Sequence, residues 1–196
     1  MSAVGEKTRY TKRGLLLRGI LPVFVAAVLL CFAGAARAAT FTVTRGDDGG
    51  AGTLRNAIGN ANSGDTIVFD PSVSVVNVNS YLFVNKALTI TGPVVIKQNA
   101  GGRVLYVTGD CTVNNLTITG GNTGTGNGSQ GGGVINYANL TMNDCTVSGN
   151  SGGGGIHNGR TMTLNNCVIK DNSSSGSTKA GRSEEHTSEL QSLAYL

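Results

Sequence analysis

Residues 140–150, LTMNDCTVSGN, return 22 positions later as residues 162–172, MTLNNCVIKDN. The GGGVIN of residues 131–136 returns at the same offset as GGGIHN, residues 153–158. A third copy, CTVNNLTITG at residues 111–120, matches the segment from Leu140 at an offset of 29, its seven extra residues falling in the Gly/Asn/Thr/Ser stretch 121–130. Fainter versions precede it, ALTITG at 87–92 and VLYVTG at 104–109. A recurring period of this length marks a repeat architecture and restricts the fold more than any single motif does.

Within each copy the apolar positions alternate, which is the pattern of strands. Leu140, Met142, Cys145 and Val147 are expected to point inward, as are Met162, Leu164, Cys167 and Ile169. Between the paired strands stands a polar corner, Asn143-Asp144 or Asn165-Asn166, where Asn and Asp tolerate left-handed backbone angles. Glycine runs supply another corner. One copy is too short to bury its apolar face alone, so copies must stack on one another. Short strands and tight corners without a helix are what one coil of a parallel β-helix requires. Like residues then repeat about every 4.8 Å along the axis, with Leu116, Cys145 and Cys167 in one internal column and Ile118, Val147 and Ile169 in another. A β-sandwich would space its strands less regularly, and a Gly-rich linker would lack the apolar pairs.

Composition agrees. Only 13% of residues are charged and 30 are Gly, a poor supply for the wet faces of long helices. Six basic groups and one acid fall in residues 1–38, whereas residues 39–181 carry eight basic and seven acidic groups. The middle of the chain is nearly neutral, so no nucleic-acid partner is expected.

The ends read differently from the repeats. Lys7, Arg9, Lys12, Arg13 and Arg18 precede the apolar run 20–32, and Ala36-Arg37-Ala38 fits an A-x-A processing site before Ala39. Residues 1–38 are therefore expected to be an export signal, with no membrane span after cleavage. An uncleaved anchor is the other reading of the same run, and Cys31 follows Leu30, too bulky for a lipoprotein site. At the far end, Arg182 to Ser192 reads as the in-frame translation of a widely used sequencing adapter. Residues 182–196 are expected to be an artefactual tail, with the natural frame cut at or before Gly181.

Residues 39–71 form a third kind of segment. Phe41 to Thr44 reads as a strand, Gly46 to Gly52 as a turn, and Asp65 to Asp70 as a strand stopped by Pro71. Between them Thr53 can N-cap a short helix with Leu54, Ala57, Ile58 and Ala61 on one face. An open coil end invites edge pairing, so this module is expected to cap the coils of residues 72–181.

The segments TFTVT (40–44), GTLRNAI (52–58) and DTIVFDP (65–71) resemble the N-terminal module of secreted bacterial right-handed β-helix proteins, often marked by a C-S-L-R-E-A-I motif. Gly52 and Asn56 stand where that motif has Cys and Glu. The later G-G-G-I-x-N and L-T-x-N-N-C-x-I units are similar to the repeats that follow it there. The resemblance covers residues 40–175 and extends to polymorphic outer-membrane and adhesin-type surface proteins. It implies a pectin-lyase-like coil and an exported chain, at the cell surface or extracellular. The C-terminal sorting anchor of such proteins is not recognised in this sequence, which leaves surface attachment open.

Chemistry is sparse. Enzymes that this coil resembles place Asp clusters with Arg or Lys on outward strand faces, to act on a glycosidic bond or hold Ca²⁺. Here the outward column Thr117, Thr146, Val168 has no ionisable group, and Thr119, Ser148, Lys170 has one. Asp144 aligns with Asn115 and Asn166, and Asp171 with Gly120 and Gly149, so no two carboxylates are neighbours across coils. No catalytic, cofactor-binding or metal residue is assigned. Asp47-Asp48 offers at most a weak Ca²⁺ site. His157 aligns with Ile135 and is expected to be solvated, the Arg45-Gly46-Asp47 tripeptide is a common product of turns, and the Asn115, Asn127, Asn139 and Asn172 sequons follow from the repeats. Outward Thr, Ser and Asn rows could bind glycans or a host surface, or simply be solvated. The chain is thus expected to be a non-catalytic exported passenger for adhesion or display. A polysaccharide lyase or glycoside hydrolase with its catalytic coils beyond Gly181 is the alternative, and a structural stalk the third.

Overall fold

The computed structural model describes residues 37–124 and 130–174, together with a short strand at 190–191. The chain divides into two units, Met1–Arg37 and Ala38–Leu196, and every element named below belongs to the second. Residues 1–36 of the expected export signal, and all of the expected tail except Leu190 and Gln191, lie outside the described residues.

The chain winds as a parallel β-solenoid of about 5 turns. Strand β1 (Thr40–Val43) leads through helix α1 (Leu54–Asn60) to β2 (Thr66–Phe69), β3 (Val75–Val78) and β4 (Leu82–Val84), which stand on three successive sides. In the next circuit β5 (Leu88–Gln98) spans two sides and β6 (Leu105–Val107) the third, and β7 (Cys111–Thr119) and β8 (Val134–Asn136) repeat this. The following circuit splits the long strand into β9 (Asn139–Asn143) and β10 (Thr146–Ser148), followed by β11 (Ile156–Asn158). The last described coil has β12 (Thr161–Asn165) and β13 (Val168–Lys170). Between coils every paired strand is parallel. The one strand paired antiparallel among the described residues is β14 (Leu190–Gln191), which lies against β12, and the isolated bridges Gly102–Asn122 and Gly153–Ser174 are antiparallel too.

Register makes the core. On the first side Ile67, Ile90, Val113, Met142 and Leu164 stack, and on the second Val76, Ile96, Ile118, Val147 and Ile169. Leu82, Leu105, Val134 and Ile156 stack on the third. Nearly all are buried, each contributing about 1.5–3 kcal/mol of burial. In the last described coil Met162, Leu164, Cys167 and Ile169 are only half-buried. Both faint repeats are strands, but on other sides than the segment they echo. Leu88–Thr91 lies in register with Cys111–Asn114 on the first side, and Leu105–Val107 with Val134–Asn136 on the third.

The polar corners behave as read. Asn115, Asp144 and Asn166 take φ of 54°, 53° and 52°, and the Asn166 amide donates to Asp144 Oδ1 at 2.6 Å. The next corner stacks Gly120, Gly149 and Asp171, again at positive φ. A Cβ at Gly120 would stand 2.7 Å from the Gln98 carbonyl oxygen, so this corner has little room in its earliest coil.

Helix α1 starts as its sequence indicates. Thr53 Oγ1 accepts from the Asn56 N–H at 3.3 Å, and Leu54, Ala57 and Ile58 are buried. At its other end Lys86 Nζ donates to the carbonyls of Ile58, Gly59 and Ala61, where a cation suits the helix dipole. The helix packs against β1, β2 and β4, covering the first coil.

Candidate binding face

The three sides differ mainly in what they turn outward. The first shows a column of threonines, Thr40, Thr66, Thr89, Thr112, Thr141 and Thr163, in continuous register. The second shows Thr117, Thr146 and Val168 beside Thr119, Ser148 and Lys170, as the repeat alignment requires. On the third side the outward column is Phe83, Tyr106, Ile135 and His157. Four of the six Phe and Tyr residues between 39 and 174 stand on this side, a concentration that chain composition does not explain.

Tyr81, just before β4, and Tyr137, just after β8, complete the row. Ring centroids lie 5.7 Å apart for Tyr81 and Tyr106, 5.4 Å for Phe83 and Tyr106, 5.9 Å for Tyr106 and Tyr137, and 5.8 Å for Tyr137 and His157. Tilted and edge-to-face pairs of this kind are worth about 0.5–1.5 kcal/mol each. Tyr81 and Phe83 are each 44% exposed and Tyr137 39%, so ring surface remains open to solvent.

Polar groups border the rings. The Arg103 guanidinium lies 5.7 Å from the centre of Tyr106, and its Nη2 donates to the Gln130 carbonyl at 3.3 Å. Its Nε is buried without a hydrogen-bond partner, and among the described residues no carboxylate pairs with this side chain. Tyr137 donates its hydroxyl to Gln130 Oε1 at 3.2 Å. Burial, and then the charge of Arg103, lower the pKa of His157, which keeps the imidazole neutral at pH 7. His157 pairs with Ile135 as aligned, but it is half-buried against Tyr137 and not simply solvated.

The capping module anchors one end of the row. Arg55, from the LRNAI segment, donates to the carbonyls of Ser80 at 2.8 Å and Tyr81 at 3.0 Å. It also pairs with Asp48 at 2.6 Å, and Asp48 in turn accepts from the Asn79 N–H at 2.9 Å. The turn that carries Tyr81 is thus fastened to the helix.

The other candidates are engaged elsewhere. Asp47 pairs with Arg45 at 2.6 Å, so the charged ends of the Arg-Gly-Asp tripeptide bind each other, and both carboxylates of the suggested Ca²⁺ loop face guanidinium groups. Among the described residues no three His, Cys, Asp or Glu side chains gather around a common point. Cys111, Cys145 and Cys167 are free thiols. Burial pushes the Cys111 thiol up to about 12. Cys145 Sγ donates to the Asn143 carbonyl at 3.2 Å and Cys167 Sγ to the Met142 carbonyl at 3.3 Å, and the neighbouring thiols act on each other so that Cys145 is pushed up and Cys167 held down, at about 7.

Sequence reasoning misses the aromatic row because Tyr81 and Phe83 lie outside every repeat copy and Tyr106 lies in a faint one. Phe83, Tyr106 and Ile135 become one column only once LFV, LYV and VIN are placed on a common side. Family models, curated proteins and solved structures were compared with the chain, and none matches.

Proposed function

We propose that the chain is an exported cell-surface or secreted β-helix protein serving adhesion or display, and that the ring row on its third side holds a saccharide chain. The supporting observation is the ring row of exposed Tyr81, Phe83 and Tyr137 and half-buried Tyr106 and His157, bordered by Arg103 and Gln130. Four rungs make a strip about 15 Å long and roughly one side chain wide. A stable protein interface needs about 800 Å² from each partner, more than such a strip supplies. Single-stranded nucleic acid also stacks on rings but requires a basic groove, and Arg103 is the one cation found over a ring among the described residues. A sugar ring offers a C–H face to the negative π surface, and hydroxyl rims to the phenol, amide and guanidinium groups.

Calorimetry with cellohexaose, whose flat chain presents such faces, tests this on the exported protein. The expected result is measurable binding that weakens about tenfold in Tyr106→Ala or Tyr81→Ala, at unchanged far-UV circular dichroism. Thr117→Ala, on the second side, is expected to bind as the parent does. Absence of binding, or equal loss in Thr117→Ala, contradicts the assignment.

A further inference from the structure

Asp65 is a buried carboxylate, 4% exposed, at the start of β2. Its Oδ2 accepts from the Asn62 N–H and its Oδ1 from the Ala39 N–H, both at 2.7 Å. No cation forms a salt bridge with it among the described residues. Lys86, whose charge acts on it, spends its ammonium on three carbonyls at the end of α1. An ionised carboxylate removed from water and held by neutral donors alone lacks the partner that buried charges ordinarily have.

The bond that would supply one is adjacent. Ala36-Arg37-Ala38 is the processing sequence read from the chain, and the residue it would release as the new terminus is Ala39. We propose that hydrolysis of the Ala38–Ala39 peptide converts the Ala39 N–H that already contacts Asp65 into an α-ammonium, completing an ion pair that locks β1 onto β2. The step is a simple hydrolysis. Water adds across the amide, leaving a carboxylate on Ala38 and the amine on Ala39, which takes up a proton. No rearrangement is needed, because the donor nitrogen stands within hydrogen-bond distance beforehand. Ala39 precedes the Thr40–Thr66 to Val43–Phe69 register, so the ion pair closes the first rung of the coil. An amide donates one proton, whereas an ammonium donates three and carries charge, giving a charge-assisted bond roughly twice as strong.

The inference rests on the export reading of residues 1–38, and the experiment separates the two. The full chain is expressed in a bacterial host, the exported protein collected, and its terminus determined by intact mass. Ala39 is the expected first residue. The α-amine is then acylated under native conditions across a pH series. Because Asp65 favours the ammonium, the amine is expected to titrate above the ordinary α-amino range of about 7.7–8.0. It should also label about tenfold more slowly than in Asp65→Asn. The pH series on the parent protein decides the matter even where Asp65→Asn does not fold. An exported protein that starts elsewhere, or an α-amine with ordinary pKa and reactivity, overturns the ion pair and leaves export standing. Failure to export overturns both.

Discussion

The side-chain amide of Asn143 donates to Oδ1 of Asn114 at 2.7 Å, one coil earlier, and its own Oδ1 receives the amide of Asn165 at 2.7 Å. Asn114 continues the chain by donating to Thr91 Oγ1 at 3.0 Å. Four coils are thus tied along one outward column by side chains that repeat in register. Asn136 with Asn158, and Asn150 with Asn172, form shorter ladders elsewhere. The recurring Asn of the repeat is therefore a stacking device as well as a corner residue.

Asn143→Ala removes a donor and an acceptor from the middle of that ladder and leaves Asn114 and Asn165 without their partner. A loss of about 1–3 kcal/mol is expected, read as a lower urea midpoint. Thr146→Ala, outward on β10, is expected to stay within about 0.5 kcal/mol of the parent. Equal effects would refute the ladder.

The left-handed corner gives a sharper contrast. At Asn115, Gly should be tolerated, whereas Val forces a branched side chain into φ near +54°. Its expected cost is about 1–2 kcal/mol relative to Gly. Paired thermal melts of the two variants measure the difference, and indifference to the choice would mean that the corner is not held left-handed.

Thiol chemistry should rank the cysteines. Native alkylation with iodoacetamide at pH 8 is expected to modify Cys167 and spare Cys111 and Cys145, with the Cys167 rate rising through about pH 7. Cys145→Val removes the neighbouring thiol that lowers the Cys167 pKa, so its midpoint should move up toward the ordinary thiol value. Peptide mass mapping reads both results, and prior labelling of Cys111 would contradict the burial described.

Asp65 also sets an acid limit. The N–H groups of Asn62 and Ala39 lower its pKa, with a further contribution from the charge of Lys86 and against the effect of burial. Its contribution to stability is therefore present above the ordinary carboxylate pKa and is lost as pH falls through the folded value. Urea midpoints from pH 7 to pH 3 should decline less steeply in Asp65→Asn than in the parent, and parallel declines would exclude the role.

Legibility in the sequence tracks repetition. Cys145 and Cys167, Val147 and Ile169, and the corner residues Asn115, Asp144 and Asn166 recur at 22 or 29, so side, direction and backbone angle could be read from them. Thr53 and the apolar spacing after it likewise announced α1. Phe83 and Tyr106 could not be placed in this way, because a short strand such as LYV fits any side of the coil until its neighbours fix the phase. The contact between Ala39 and Asp65 was hidden for another reason: it joins residues 26 apart outside any repeat, and only pairing of β1 with β2 brings them together.

Core, corners and ring row all depend on successive coils stacking in parallel register, and methyl nuclear Overhauser effects in the folded protein measure that directly. Val147 is predicted to show strong cross-peaks to Ile118, 29 residues before it, and to Ile169, 22 residues after it. Cross-peaks from Val147 to strands running in the opposite direction, as in a β-sandwich, with none to Ile118 or Ile169, would contradict the β-helix.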